Sequence, residues 1–74
     1  MNTKFEKFDS GWVGLSLALS PKEIELLLRR LNELKVGEIN HFHLRAEDFE
    51  SDEGVADIEV TTIGEGETDN MTID

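Results

Sequence analysis

From Trp12 to Leu19 the chain alternates, with Val13, Leu15, Leu17 and Leu19 to one side and Trp12, Gly14, Ser16 and Ala18 to the other. That two-residue period predicts a half-buried strand. The period then changes. Ile24, Leu27, Leu28, Leu31 and Leu34 recur every three or four residues, while Lys22, Glu25, Arg29, Asn32, Glu33 and Lys35 fall largely elsewhere, which predicts an amphipathic helix. Its ends are marked as clearly as its face. Ser20, Pro21 and Glu23 make a capping box with proline in the first turn, and Gly37 supplies the residue that turns left-handed most easily and stops the helix. Glu25 is placed to pair with Arg29 one turn on.

Beyond Gly37 the two-residue period returns. A strand over about Ile39 to Ala46 turns Phe42, Leu44 and Ala46 one way and His41, His43 and Arg45 the other. A further strand over Val55 to Ile63 places Ala56, Ile58, Val60 and Thr62 opposite to Val55, Asp57, Glu59, Thr61 and Ile63, and its β-branched residues suit a pleated surface. These two strands are expected to form an antiparallel hairpin around the acidic loop 47–54. Residues 3–8, ahead of the Asp9-Ser10-Gly11 turn signal that leads into the Trp12 strand, read as a short strand and hairpin partner. Residues 64–74 read as a flexible acidic tail, with an edge strand through the alternating Met71 and Ile73 as the alternative.

The fold class expected is therefore α+β. One helix, of crossover length, would join parallel strands and lie on one face of a three- to four-stranded mixed sheet, in the order β-α-β-β with or without the N-terminal strand. The leucine stripe would meet Val13, Leu15, Leu17 and Leu19. Seventy-four residues make one small domain spanning residues 1–74. A chain of that size buries only about 60% of its unfolded surface, so a self-association surface would help it. No run is long enough to span a bilayer, the N-terminus is a poor signal peptide, and there is no cysteine; a cytoplasmic location is expected.

Charge alters the picture by its position. Residues 1–45 hold all seven basic side chains and six acids, whereas residues 46–74 hold eleven acids and no Lys or Arg, which together give the net charge of −10. Such a field repels nucleic acid and anionic membrane and attracts cationic proteins or metal ions. Its plainest use is solubility. In the loop Glu47-Asp48-Phe49-Glu50-Ser51-Asp52-Glu53, one aromatic side chain stands among five carboxylates. It could cap the small core or anchor a docking surface whose acids steer a basic partner. Trp12, at a strand start beside small residues, is either a lid on the core or the centre of an interface. The candidate partner-binding set is thus Trp12, Asp48, Phe49, Glu50, Asp52, Glu53, Asp57 and Glu59.

One helix cannot cover both faces of a sheet. On the far face the row His41, His43 and Arg45 would lie beside Asp57 and Glu59, which is ordinary cross-strand pairing worth roughly 0.2 to 1 kcal/mol per pair. The same residues allow a metal site. Two histidines two apart on a strand project from one face roughly 7 Å apart, and a carboxylate from Asp57 or Glu59 could join them. No cofactor is otherwise implied. No nucleophile has a visible base, and Gly64 and Gly66 precede no helix and so form no phosphate loop; an enzyme is not expected.

His41-Phe42-His43-Leu44, after a leucine-rich helix and before an acidic stretch, resembles a strand of small bacterial immunity proteins of polymorphic toxin systems. The resemblance covers about residues 12–63 and implies a cytoplasmic protein that binds and neutralises a cognate toxin; no catalytic residue carries over. It agrees with the charge pattern, which favours a binding module for a basic protein. A homodimer burying the open sheet face and a metal-binding protein through His41 and His43 are the alternatives.

Overall fold

The computed structural model describes residues 1–47 and 53–74. Asp48, Phe49, Glu50 and Asp52 of the expected docking loop lie outside the described residues. The element order is β1 (Asn2–Lys7), β2 (Val13–Ala18), α1 (Pro21–Val36), β3 (His41–Arg45) and β4 (Asp57–Thr61).

Helix α1 begins and ends as its sequence requires. The Glu23 N–H donates to Ser20 Oγ at 3.2 Å and the Ser20 N–H donates to Glu23 Oε1 at 3.0 Å, so both arms of the capping box are made. At the other end Gly37 sits at φ 83°. Its N–H donates to the Leu34 carbonyl at 3.3 Å, and the Glu38 N–H donates to the Glu33 carbonyl at 2.9 Å. These two bonds are the Schellman pattern, which satisfies carbonyls that the helix leaves open. The helical ion pair is Arg30 with Glu33, at 2.8 Å, rather than the expected Glu25 with Arg29.

The strands pair differently from the expected sheet. β1 pairs antiparallel with β2, Phe5 opposite Leu15 and Lys7 opposite Val13, and β3 pairs antiparallel with β4, His43 opposite Glu59 and Arg45 opposite Asp57. The result is two separate two-stranded sheets, not one sheet of three or four strands under a helix. Locality explains this outcome. Each strand finds a partner across a short stretch of chain, which costs little closure entropy, whereas a parallel β2–β3 pair must close around the whole helix and gains slightly less per residue. The first hairpin turns through Gly11 at φ 90°, with the Phe8 N–H donating to the Trp12 carbonyl at 2.8 Å. Phe8 then folds over the small-residue face of β2: a Cβ added at Gly14 would lie 3.2 Å from Phe8 Cζ. The second hairpin extends one step past its strands, as the Ala46 N–H donates to the Ala56 carbonyl at 3.0 Å.

Burial shows the consequence of leaving the sheets apart. Among the described residues only Leu34, 7% exposed, is a buried hydrophobic residue. Val13, Leu15 and Leu17, expected beneath the helix, are exposed, Val13 to 59%. The helix itself is covered off-centre: Glu23, Leu27 and Leu34 lie towards the protein, while Ile24, Leu28 and Leu31 of the same stripe stand in solvent. The Cα radius of gyration is 14.4 Å, against about 11 Å for a compact chain of this length. Two polar contacts reach across the chain. The Met1 amine donates to Glu23 Oε2 at 2.6 Å, tying the start of β1 to the first turn of α1, and Lys7 Nζ lies 3.7 Å from Glu53 Oε2. Residues 64–74 form no strand, and Met71 and Ile73 are exposed.

Candidate functional site

Two surfaces carry chemistry, one polar and one apolar. The polar one is the outward face of the β3–β4 hairpin. Because side chains alternate along a strand, His41, His43 and Arg45 share a face with Thr61, Glu59 and Asp57 across the ladder. Phe42, Leu44, Ile58 and Val60, on the opposite face, are half-buried, which holds the hairpin in this orientation. The rings of His41 and His43 meet edge to face with centroids 5.2 Å apart. One ring nitrogen from each and one carboxylate oxygen of Glu59 all lie within 4.8 Å of one another.

The neighbours of these rings are specific. His43 Nδ1 lies 3.0 Å from Asp57 Oδ1 and 3.1 Å from Oδ2, so the ring donates to a carboxylate that can only accept. Arg45 Nε donates to the same Asp57 Oδ1 at 3.3 Å. His41 Nδ1 donates to the side-chain oxygen of Asn40. Asn40 is anchored in turn, its backbone carbonyl accepting from Thr61 Oγ1 at 3.0 Å. Of the two carboxylates that sequence spacing offered to the histidines, register therefore separates the roles: Asp57 hydrogen-bonds one ring and Arg45, and Glu59 stands with both rings.

The apolar surface consists of the open flank of α1 (Ile24, Leu28 and Leu31) and the exposed face of β1–β2 (Phe5, Val13, Leu15 and Leu17). Trp12, in the hairpin turn, is 78% exposed, so it is not a lid on the core. Leu26 is exposed as well. A signal for this was present in the sequence, since three successive leucines, Leu26, Leu27 and Leu28, cannot share one face of a helix. Glu53, Asp57 and Glu59 of the expected acidic surface are exposed, but Asp57 is engaged by His43 and Arg45 and Glu53 by Lys7. A groove of about 490 Å³ runs between Met1–Thr3 on one side and residues 44–47, 53–55 and Ile58 on the other.

One titration is strongly displaced. The Glu23 carboxyl is lowered to about 2, chiefly by its hydrogen bond from the Met1 ammonium and next by the Ser20 backbone N–H. Both partners stabilise the charged form, so this is a structural contact of the helix start.

No family model, curated protein or solved structure matches the chain. No described helix is long and apolar enough to cross a membrane.

Proposed function

We propose that this chain is a non-enzymatic binding module that completes its apolar core on a basic protein partner; the resemblance to immunity proteins implies that such a partner is a toxin that the chain binds and neutralises. The observation that carries the reading is the uncovered apolar surface: eleven large side chains of α1 and the first hairpin are exposed, while Leu34 alone is a buried hydrophobic residue among the described residues. Exposed apolar side chains gathered into a patch mark interaction sites on soluble proteins. Charge selects the partner's sign. Eleven acids downstream of residue 45 have no basic residue beside them in sequence, and a field of that sign accelerates encounter with a cation-rich surface. Burial of Trp12 and of leucines such as Leu28 then slows dissociation, since aromatic anchors dominate interface energies.

A second copy of the chain is the rival occupant of the same surface, and one experiment separates them. Purified protein is examined by sedimentation velocity over a wide concentration range, then used to capture partners from the source cell beside a Trp12→Ala, Leu28→Lys double variant. The reading expects a monomer that retains a basic protein, with capture weakened by salt and abolished in the variant. A concentration-dependent dimer, or capture insensitive to both changes, contradicts it.

A further inference from the structure

We infer that the outward face of the β3–β4 hairpin is a binding site for a divalent transition-metal ion, with His41, His43 and Glu59 as its protein ligands and Asp57 as the residue that positions His43. This goes beyond the docking role and uses neither Trp12 nor the apolar surface. Three observations converge on it. The first is proximity: a nitrogen from each ring and an oxygen of Glu59 gather within 4.8 Å. Tetrahedral zinc with ligand bonds of about 2.0 to 2.1 Å needs its donors about 3.4 Å apart. His41 and Glu59 are exposed, so small side-chain rotations close the difference without moving the backbone.

The second observation is the hydrogen bonding of the rings. A metal takes the lone pair of a neutral imidazole, and which nitrogen offers it depends on where the other nitrogen's hydrogen goes. Here Nδ1 of His43 donates to Asp57 and Nδ1 of His41 donates to Asn40. Nδ1 of each ring is thus occupied, and Nε2 is the nitrogen that a neutral ring bonded in this way would offer to a metal. The carboxylate–histidine pair of Asp57 and His43 is the arrangement that orients a ligating ring and raises its basicity at metal centres. Ordinary pairing of a cationic strand with an anionic one explains Arg45 and His43 with Asp57, but it does not call for the gathering of both rings with Glu59.

The third observation is the donor set. Two imidazoles and one carboxylate, with the remaining positions left to water, suit zinc and its borderline neighbours and suit magnesium or calcium poorly, since those prefer oxygen alone. Because two ligands come from β3 and one from β4, the ion would clip the hairpin across its ladder and so stabilise the folded chain by mass action.

The test uses the full chain freed of metal by a chelator and titrated calorimetrically with zinc, in a magnesium excess that occupies the acidic segment's weak carboxylate sites. Wild type is expected to take up one zinc ion per chain and to melt at a higher temperature with it. His41→Ala and Glu59→Gln, both at exposed positions, are each expected to weaken binding at least tenfold. Asp57→Asn keeps the stoichiometry and weakens affinity by about 10- to 100-fold, as loss of a supporting partner does, and it alters the visible spectrum of bound cobalt(II). Zinc uptake that the magnesium excess abolishes, or equal affinity in wild type and Glu59→Gln, overturns the assignment.

Discussion

Leu34 and Leu28 belong to the same apolar stripe of α1, yet one is 7% exposed and the other 61%. Truncating each to alanine therefore separates the covered side of the helix from the open one. Full burial of a leucine side chain is worth roughly 2 kcal/mol, so most of that is at stake at Leu34 and well under half of it at Leu28. Loss of packing adds to the first, placing Leu34→Ala near the lower end of the roughly 2 to 5 kcal/mol seen for buried leucines, because few neighbours are themselves buried and the site can relax. At Leu28 the small loss is partly offset by alanine's slightly better helix propensity, leaving about 0.5 kcal/mol. With a urea dependence of about 1 kcal/mol per molar for so small a chain, the two midpoints should differ by about 1.5 M or more. Circular dichroism at two protein concentrations reads this directly. Equal midpoint shifts at both concentrations would mean that the stripe is wholly covered within one chain in solution, and the docking surface on α1 would be lost.

The remaining predictions concern the ends of the helix. Glu23→Gln should lower the melting temperature at neutral pH and not at pH 2 or below. Because the folded carboxyl is depressed to about 2 from 4.5, its contribution is complete above the unfolded value and lost as pH falls through the folded one; a variant equally destabilised across that range removes the Met1 contact from the account. Ser20→Ala breaks the other half of the same capping box and should cost about 1 kcal/mol, or roughly 4 to 8 °C in a domain of this size. Gly37→Ala places a side chain at φ 83° and should destabilise by about 1 kcal/mol; an unchanged melting curve would mean that the helix ends elsewhere.

How much of this was legible depended on how local the cause was. The Ser20 to Gly37 helix was readable to the residue, since capping box, stripe and glycine stop are all properties of neighbouring positions. The β3–β4 hairpin and its outward row of His41, His43 and Arg45 were equally legible, because alternation alone assigns side chains to faces. Pairing across the helix was not. A crossover of suitable length permits parallel strands but does not compel them, and β1 offers β2 a nearer antiparallel partner whose apolar Phe5 faces Leu15. Once β2 is taken, the leucines of α1 lose their expected floor, and Ile24, Leu28 and Leu31 are left in water. The choice between Asp57 and Glu59 was likewise out of reach, because it needs the register that sets Glu59 opposite His43 and Asp57 opposite Arg45.

The uncovered state of the isolated chain is measured most directly by small-angle X-ray scattering, with molecular mass taken from the forward intensity. A particle of one-chain mass and a radius of gyration near the 14.4 Å of the Cα trace is the result predicted. One-chain mass with a radius near 11 Å, the value for a closed core of this length, would contradict it.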